Sequence, residues 1–232
     1  MTKVFENQTF NHFFDRDSAK TFADMEFRKC RFSNCAISIT RNPALRSTVR
    51  NVKLIDCEML VACSLRTAIV EEVLIDGLKT PRAVHTWGAV FKHVTLRGKI
   101  GRVMTSPRVL ISRDEPDVER AFAEANAAYY ATVDWALDIR EAEVQEIDIR
   151  DVPGHLIRRD PATQVLITRE KAMQGKWRQL DLSGTYWLTS IQFFLEQGAP
   201  SRVLVAPKRD KKYRRMLEGL QLLREAGVAE PD

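Results

Sequence analysis

Seven cationic side chains crowd the stretch from 202 to 215: Arg202, Lys208, Arg209, Lys211, Lys212, Arg214 and Arg215, against the single Asp210. Their sum of +6 exceeds the formal net charge of +5 for all 232 residues, so the basic character is a patch on a near-neutral body. Cations at this density bind phosphate or carboxylate groups, above all where a helix start adds free N–H donors. The apolar spacing of Tyr213, Met216, Leu217, Leu220 and Leu223 predicts a helix over about 208–226, ended by Gly227. Lys208, Arg209, Lys211 and Lys212 would then occupy its opening turns, where each exposed cation costs up to about 1 kcal/mol. Nothing in the sequence compensates that cost. At helical spacing Lys208, Lys211 and Arg215 face away from the apolar stripe. The candidate binding patch is therefore Lys208, Arg209, Lys211, Lys212, Arg214 and Arg215. A phosphate ligand or nucleic acid, an acidic protein partner, and plain solvent around a basic face all compete for it.

Other chemistry is thinly represented. There is no G-x-x-x-x-G-K-[ST] or G-x-G-x-x-G turn to cradle a nucleotide, and Ser64, Ser183 and Ser190 lack a G-x-S-x-G setting. The histidines, His12, His85, His93 and His155, have no metal-ligand spacing, although His85 and His93 flank Trp87. Asp56 and Asp76, if carried on neighbouring turns, would lie about 5 Å apart. Such a pair can act as acid and base, and a surface ladder of polar residues is the plainer reading. Cys30, Cys35, Cys57 and Cys63 fall in the first third at spacings unlike zinc pairs, and are expected as reduced thiols packed inward. No catalytic residue, metal or cofactor is assigned.

The elements that would hold the patch begin with an unusual beat. Phe22, Phe27, Phe32 and Ile37 recur at every fifth position, which is neither the helical nor the strand period. A longer echo follows in LIDCEM (54–59), LIDGLK (74–79) and TLRGKI (95–100), with FSNCAI (32–37) one comparable interval earlier. A fixed period of roughly 20 residues is the mark of a solenoid, in which each turn buries its apolar face against its neighbours. Asp56, Asp76 and Arg97 would sit at equivalent outward corners, and Gly77 and Gly98 at tight turns. In CRFSNCAI the chain resembles the pentapeptide-repeat family. That resemblance implies a right-handed parallel β-helix over about 20–100, each coil closing after four five-residue sides. Known roles in the family include inhibiting topoisomerases by mimicking DNA, and acting as effectors or scaffolds. Mimicry needs a strongly acidic surface, which the near-neutral body and basic tail do not supply.

After Pro107, Ser112-Arg-Asp-Glu115 reads as a capping box for a helix carrying Val118, Phe122, Ala125, Tyr129 and Val133 on one stripe. LDIREAEVQE, IDIRDVPGHL and QVLIT read as further strands. A helix over 186–197 stopped by Gly198 and Pro200, the strand RVLVA (202–206) and the basic helix complete an α/β cap. The expected organisation is mainly β: a solenoid over 1–182 with a helical insertion at about 114–133, then the cap at 183–232. The opening residues lack a signal-peptide pattern, and no apolar run approaches the roughly 20 residues of a membrane span, so a cytoplasmic protein is expected. The functional expectation is a non-enzymatic interaction module, of inhibitor or immunity type, that binds a partner protein. Nucleic-acid or phosphate binding through the basic helix is the alternative, and an exported polysaccharide-acting enzyme ranks last.

Overall fold

The computed structural model describes residues 1–109 and 115–230. Ser112 of the expected capping box lies outside them; Glu115 stands at the helix start and caps no backbone N–H with its side chain. Strands β1 (Lys3–Glu6), β2 (Thr9–Arg16), β3 (Thr21–Arg28), β4 (Arg31–Ile39), β5 (Thr48–Met59), β6 (Ser64–Leu65), β7 (Ile69–Lys79), β8 (Val84–Trp87) and β9 (Val90–Ser106) lead into helix α1 (Pro116–Tyr130). Beyond it come β10 (Leu137–Asp138), β11 (Ala142–Asp148) and β12 (Ile157–Arg158), and all twelve strands join one sheet. The second unit holds β13 (Gln164–Thr168), α2 (Arg169–Met173), α3 (Trp187–Gln197), β14 (Ser201–Val205) and α4 (Tyr213–Glu225).

The long period of the sequence is the register of parallel pairing. Thr48 pairs with Ile69 and Ile69 with Val90 at one constant offset, so Val52, Val73 and Val94 stack as one buried column. The five-step beat places aromatic rings together in the same core. Phe5 stacks on Phe27 with centroids 4.9 Å apart, Phe10 on Phe32 at 5.3 Å, and Phe27 meets Phe32 edge-on. Phe22 instead meets Phe13 edge-on at 5.8 Å.

The expected open right-handed solenoid is corrected by the pairing pattern. β5 pairs with β7, β7 with β9, β9 with β8, β8 with β6, β6 with β4, and β4 returns to β5. These six strands form a closed parallel barrel, with further strands added to it. Closure has a local cause in residues with left-handed backbone, which break an extended run. Asn51 and Asp56 in β5, Glu72 and Gly77 in β7, and His93 and Gly98 in β9 all have positive φ. Each long strand is bent twice, so Arg31–Phe32 of β4 meets Glu58–Met59 of β5, and Val84–Trp87 of β8 meets Val103–Ser106 of β9.

Register also corrects the stacked carboxylate pair. At the same offset, Asp76 pairs with Arg97 and Asp56 falls beside Gly77. Asp76 is bridged to Arg97 at 2.7 Å and has no carboxylate opposite. A Cβ on Gly77 would lie 2.9 Å from Asp56 Oδ1, so the bend at φ +76° needs glycine twice over. The cysteines are free thiols, Cys30 and Cys57 buried, Cys35 and Cys63 half-buried.

Helix α1 lies against the barrel through Phe122, which is fully buried, and Tyr130, whose hydroxyl accepts the Phe91 N–H at 3.3 Å. The Tyr129 hydroxyl donates to Glu71 at 3.0 Å. QVLIT forms β13, but it pairs antiparallel with β14 and does not extend the parallel sheet. The second core starts at Val165, upstream of residue 183, and includes Trp177, Trp187, Ile191, Phe194, Met216 and Leu220. Buried Arg202 ties it to the barrel through an ion pair with Asp148 of β11.

Candidate functional site

The basic stretch is arranged differently from the helix start expected for it. Helix α4 begins at Tyr213, so Lys208–Lys212 form turns ahead of it. Asp210 Oδ1 accepts the Lys212 N–H at 2.7 Å in the turn ahead of the helix, whose own first turn holds no acid. Lys208 and Lys211 are exposed and Arg215 is half-buried, but two of the three are already paired within the chain. Lys208 reaches Asp160 at 3.3 Å, Arg209 donates to the Ile100 carbonyl at 3.2 Å, and Arg215 bridges Asp181 and Glu218. Burial works to raise the Asp160 carboxyl, but bonds from Ala162, Thr163 and Lys208 hold it below its usual range. Asp181 is also held low, first by its hydrogen bonds from Ser183 and then by Arg215.

Lys211, Lys212 and Arg214 make a smaller surface, and among the described residues no acidic side chain ion-pairs with them. Its position follows from the packing of α3 on α4. Gly219 of α4 leaves room for the Trp187 indole, since a Cβ there would lie 2.6 Å from the ring, and Trp187 Nε1 donates to the Met216 carbonyl at 3.0 Å. That dock brings the preceding residue, Tyr186, beside the start of α4. Tyr186 is 46 % exposed, and the Lys212 ammonium sits 4.6 Å from its ring centroid. Leu188, 40 % exposed, lies just farther along α3. The result is a surface of unpaired cations beside an exposed aromatic ring.

A second feature lies beneath α1. A cleft of about 450 Å³ is walled by Pro107, Pro153, Asn126, Tyr130, Asp151 and His155, together with three alanines of the α1 segment. The Thr105 hydroxyl donates to Asp151 Oδ1, while Oδ2 is shielded from solvent with no hydrogen-bond partner. Burial pushes the Asp151 carboxyl up to about 7 against the pull of that Thr105 bond. Behind Asn126 lies buried Arg46, which donates to the Gly88 carbonyl at 2.9 Å and to Asn126 Oδ1, with its guanidinium 4.8 Å from the Phe122 ring centroid. Desolvation lowers Arg46 to about 10, and its Nε has no partner.

The histidines are dispersed. His85 stacks on Trp87. His93 stacks on Trp135 and holds Glu72 and Asp134 at 2.6 Å on its two ring nitrogens. Among the described residues no group of His, Cys, Asp and Glu is placed to hold a metal.

No family model, curated protein or solved structure matches this chain.

The resemblance to pentapeptide-repeat proteins therefore rests on the CRFSNCAI motif and the longer echo that follows it in the sequence. Sequence reasoning named the cations but missed Tyr186 and Asp151. Tyr186 opens a helix whose inward stripe is plain, and an aromatic just outside that stripe, near a basic run, is the signal that marks it. Asp151 precedes Val-Pro-Gly, which reads only as a turn.

Proposed function

We propose that the protein is an interaction module whose Tyr186–Lys212 surface docks an acidic, amphipathic segment of a partner protein. The observation that carries this reading is the contrast within one short stretch. Lys208 and Arg215 are matched by acids of the same chain, whereas Lys212, flanked in sequence by Lys211 and Arg214, sits over the exposed ring of Tyr186, two residues before exposed Leu188. Tyr and Arg are enriched among the residues that anchor interfaces, and opposite charge on the partner speeds encounter. Single-stranded nucleic acid is the second reading, favoured by the cation over an exposed ring on which a base can stack.

Fluorescence anisotropy with three labelled probes separates the readings: a Glu/Leu amphipathic peptide, its Gln/Leu counterpart, and a single-stranded oligonucleotide. The Glu/Leu peptide is expected to bind, and to weaken at least tenfold with Tyr186→Ala or with Lys211→Glu and Lys212→Glu together. Tighter binding of the oligonucleotide, lost on the same substitutions and with raised salt, would replace the protein reading by the nucleic-acid one. Binding of none of the probes would count against both.

A further inference from the structure

The cleft beneath α1 shares no residue with the Tyr186–Lys212 surface and poses a separate question. A buried carboxylate oxygen without a partner carries its full desolvation penalty, and native proteins leave few such groups unexplained. Asp151 Oδ2 is one of these: it is shielded from solvent, while Asp151 itself lines a cleft large enough for a small organic molecule, so a turn of the carboxylate would present that oxygen to the cleft. The neighbouring polar groups are largely committed. Asn126 takes the Arg46 guanidinium on Oδ1 and donates from Nδ2 to the Gly88 carbonyl, so it turns away from an occupant. The Tyr130 hydroxyl oxygen accepts the Phe91 N–H.

Asp151 Oδ2 therefore remains as an acceptor awaiting a donor. The remaining walls are apolar and small: Pro107, Pro153, and Ala123, Ala127 and Ala131, spaced by one helical turn along one face of α1. An anion would meet the Asp151 carboxylate, whereas an N–H donor bearing positive charge would satisfy Oδ2 and favour its ionised form.

We propose that the cleft is a binding site for a small organic cation, an ammonium group on a compact apolar body, with Asp151 as its counter-ion. The Ala123–Ala127 face of α1 takes the apolar body, and Tyr130 and His155 border the charged end.

The test is an NMR titration of the ¹⁵N-labelled full chain with benzylammonium, using benzyl alcohol as the neutral probe of similar shape. Benzylammonium is expected to give saturable shifts centred on Tyr130, Asp151 and His155, and benzyl alcohol to bind at least tenfold more weakly. Removing one member of a buried, hydrogen-bonded charge pair costs at least about 2 kcal/mol, so Asp151→Asn should weaken benzylammonium by about 30-fold or more. Ala127 is exposed, so Ala127→Leu plugs the cleft without entering the core and should abolish the shifts even if Asp151→Asn folds poorly. Equal binding of amine and alcohol, full affinity in either variant, or no saturable shift with benzylammonium would overturn the proposal.

Discussion

Replacing Asp151 by Asn should change stability in opposite directions at low and high pH. The carboxyl is raised from an ordinary 3.8 to about 7, chiefly by burial, with Asp148 pushing the same way and Thr105 and Arg150 opposing. Between those values the folded chain keeps a proton that the unfolded chain has already released. Asp151 thus leaves stability intact below about pH 4, erodes it as pH rises toward 7, and erodes it no further above. At about 1.4 kcal/mol per pH unit, the eroded stability is on the order of 4 kcal/mol at pH 8.5. Asn keeps an oxygen for the Thr105 hydroxyl, never ionises, and puts an NH₂ where Oδ2 has no partner. That unmatched donor costs about 1–3 kcal/mol at every pH. Urea unfolding followed by tryptophan fluorescence should therefore find Asp151→Asn less stable than the parent by about 1–3 kcal/mol at pH 4. At pH 8.5 it should be more stable by a similar amount. The same destabilisation at both pH values would refute the buried, ionisation-penalised carboxyl.

Two further substitutions probe the bends that close the barrel. Gly77→Ala should cost about 1–2 kcal/mol for the left-handed backbone alone, plus the clash with Asp56 Oδ1, and adding Asp56→Ala should recover only the clash. Urea midpoints of the single and double variants measure the split, and full recovery would contradict the backbone part. His93→Gln should lower the melting temperature at pH 6 and leave it nearly unchanged at pH 9. Burial pulls the His93 imidazole down, but its bonds to Asp134 and Glu72 win and hold it above 6.5. Its contribution is thus fully present below about pH 6.5 and lost as pH climbs through the raised value; an equal loss at both pH values would contradict this.

Much of the front of the molecule was written in its spacing. The five-step phenylalanines meet in stacked and edge-on pairs, and the longer echo is the register of parallel strands, falling one position short between Asp56 and Asp76. Closure was not legible, because it depends on which strand edges meet after paired left-handed bends, and Glu72 is not a residue type that announces such a bend. The cationic run was equally plain, but its neutralisation was not. Asp160 lies 48 residues before Lys208, and Asp181 lies 34 before Arg215. Asp151 becomes unusual only when folding brings Thr105, 46 residues away, onto one of its oxygens and leaves the other buried.

Site-specific photo-cross-linking in the native cell tests the docking surface most directly, with a photoreactive residue at Leu188 and a control at Asp24, an exposed position on β3. The account predicts one protein adduct from position 188, absent from position 24 and lost when Lys211 and Lys212 are reversed to Glu. An adduct indifferent to that reversal, or one that nuclease removes, would contradict it.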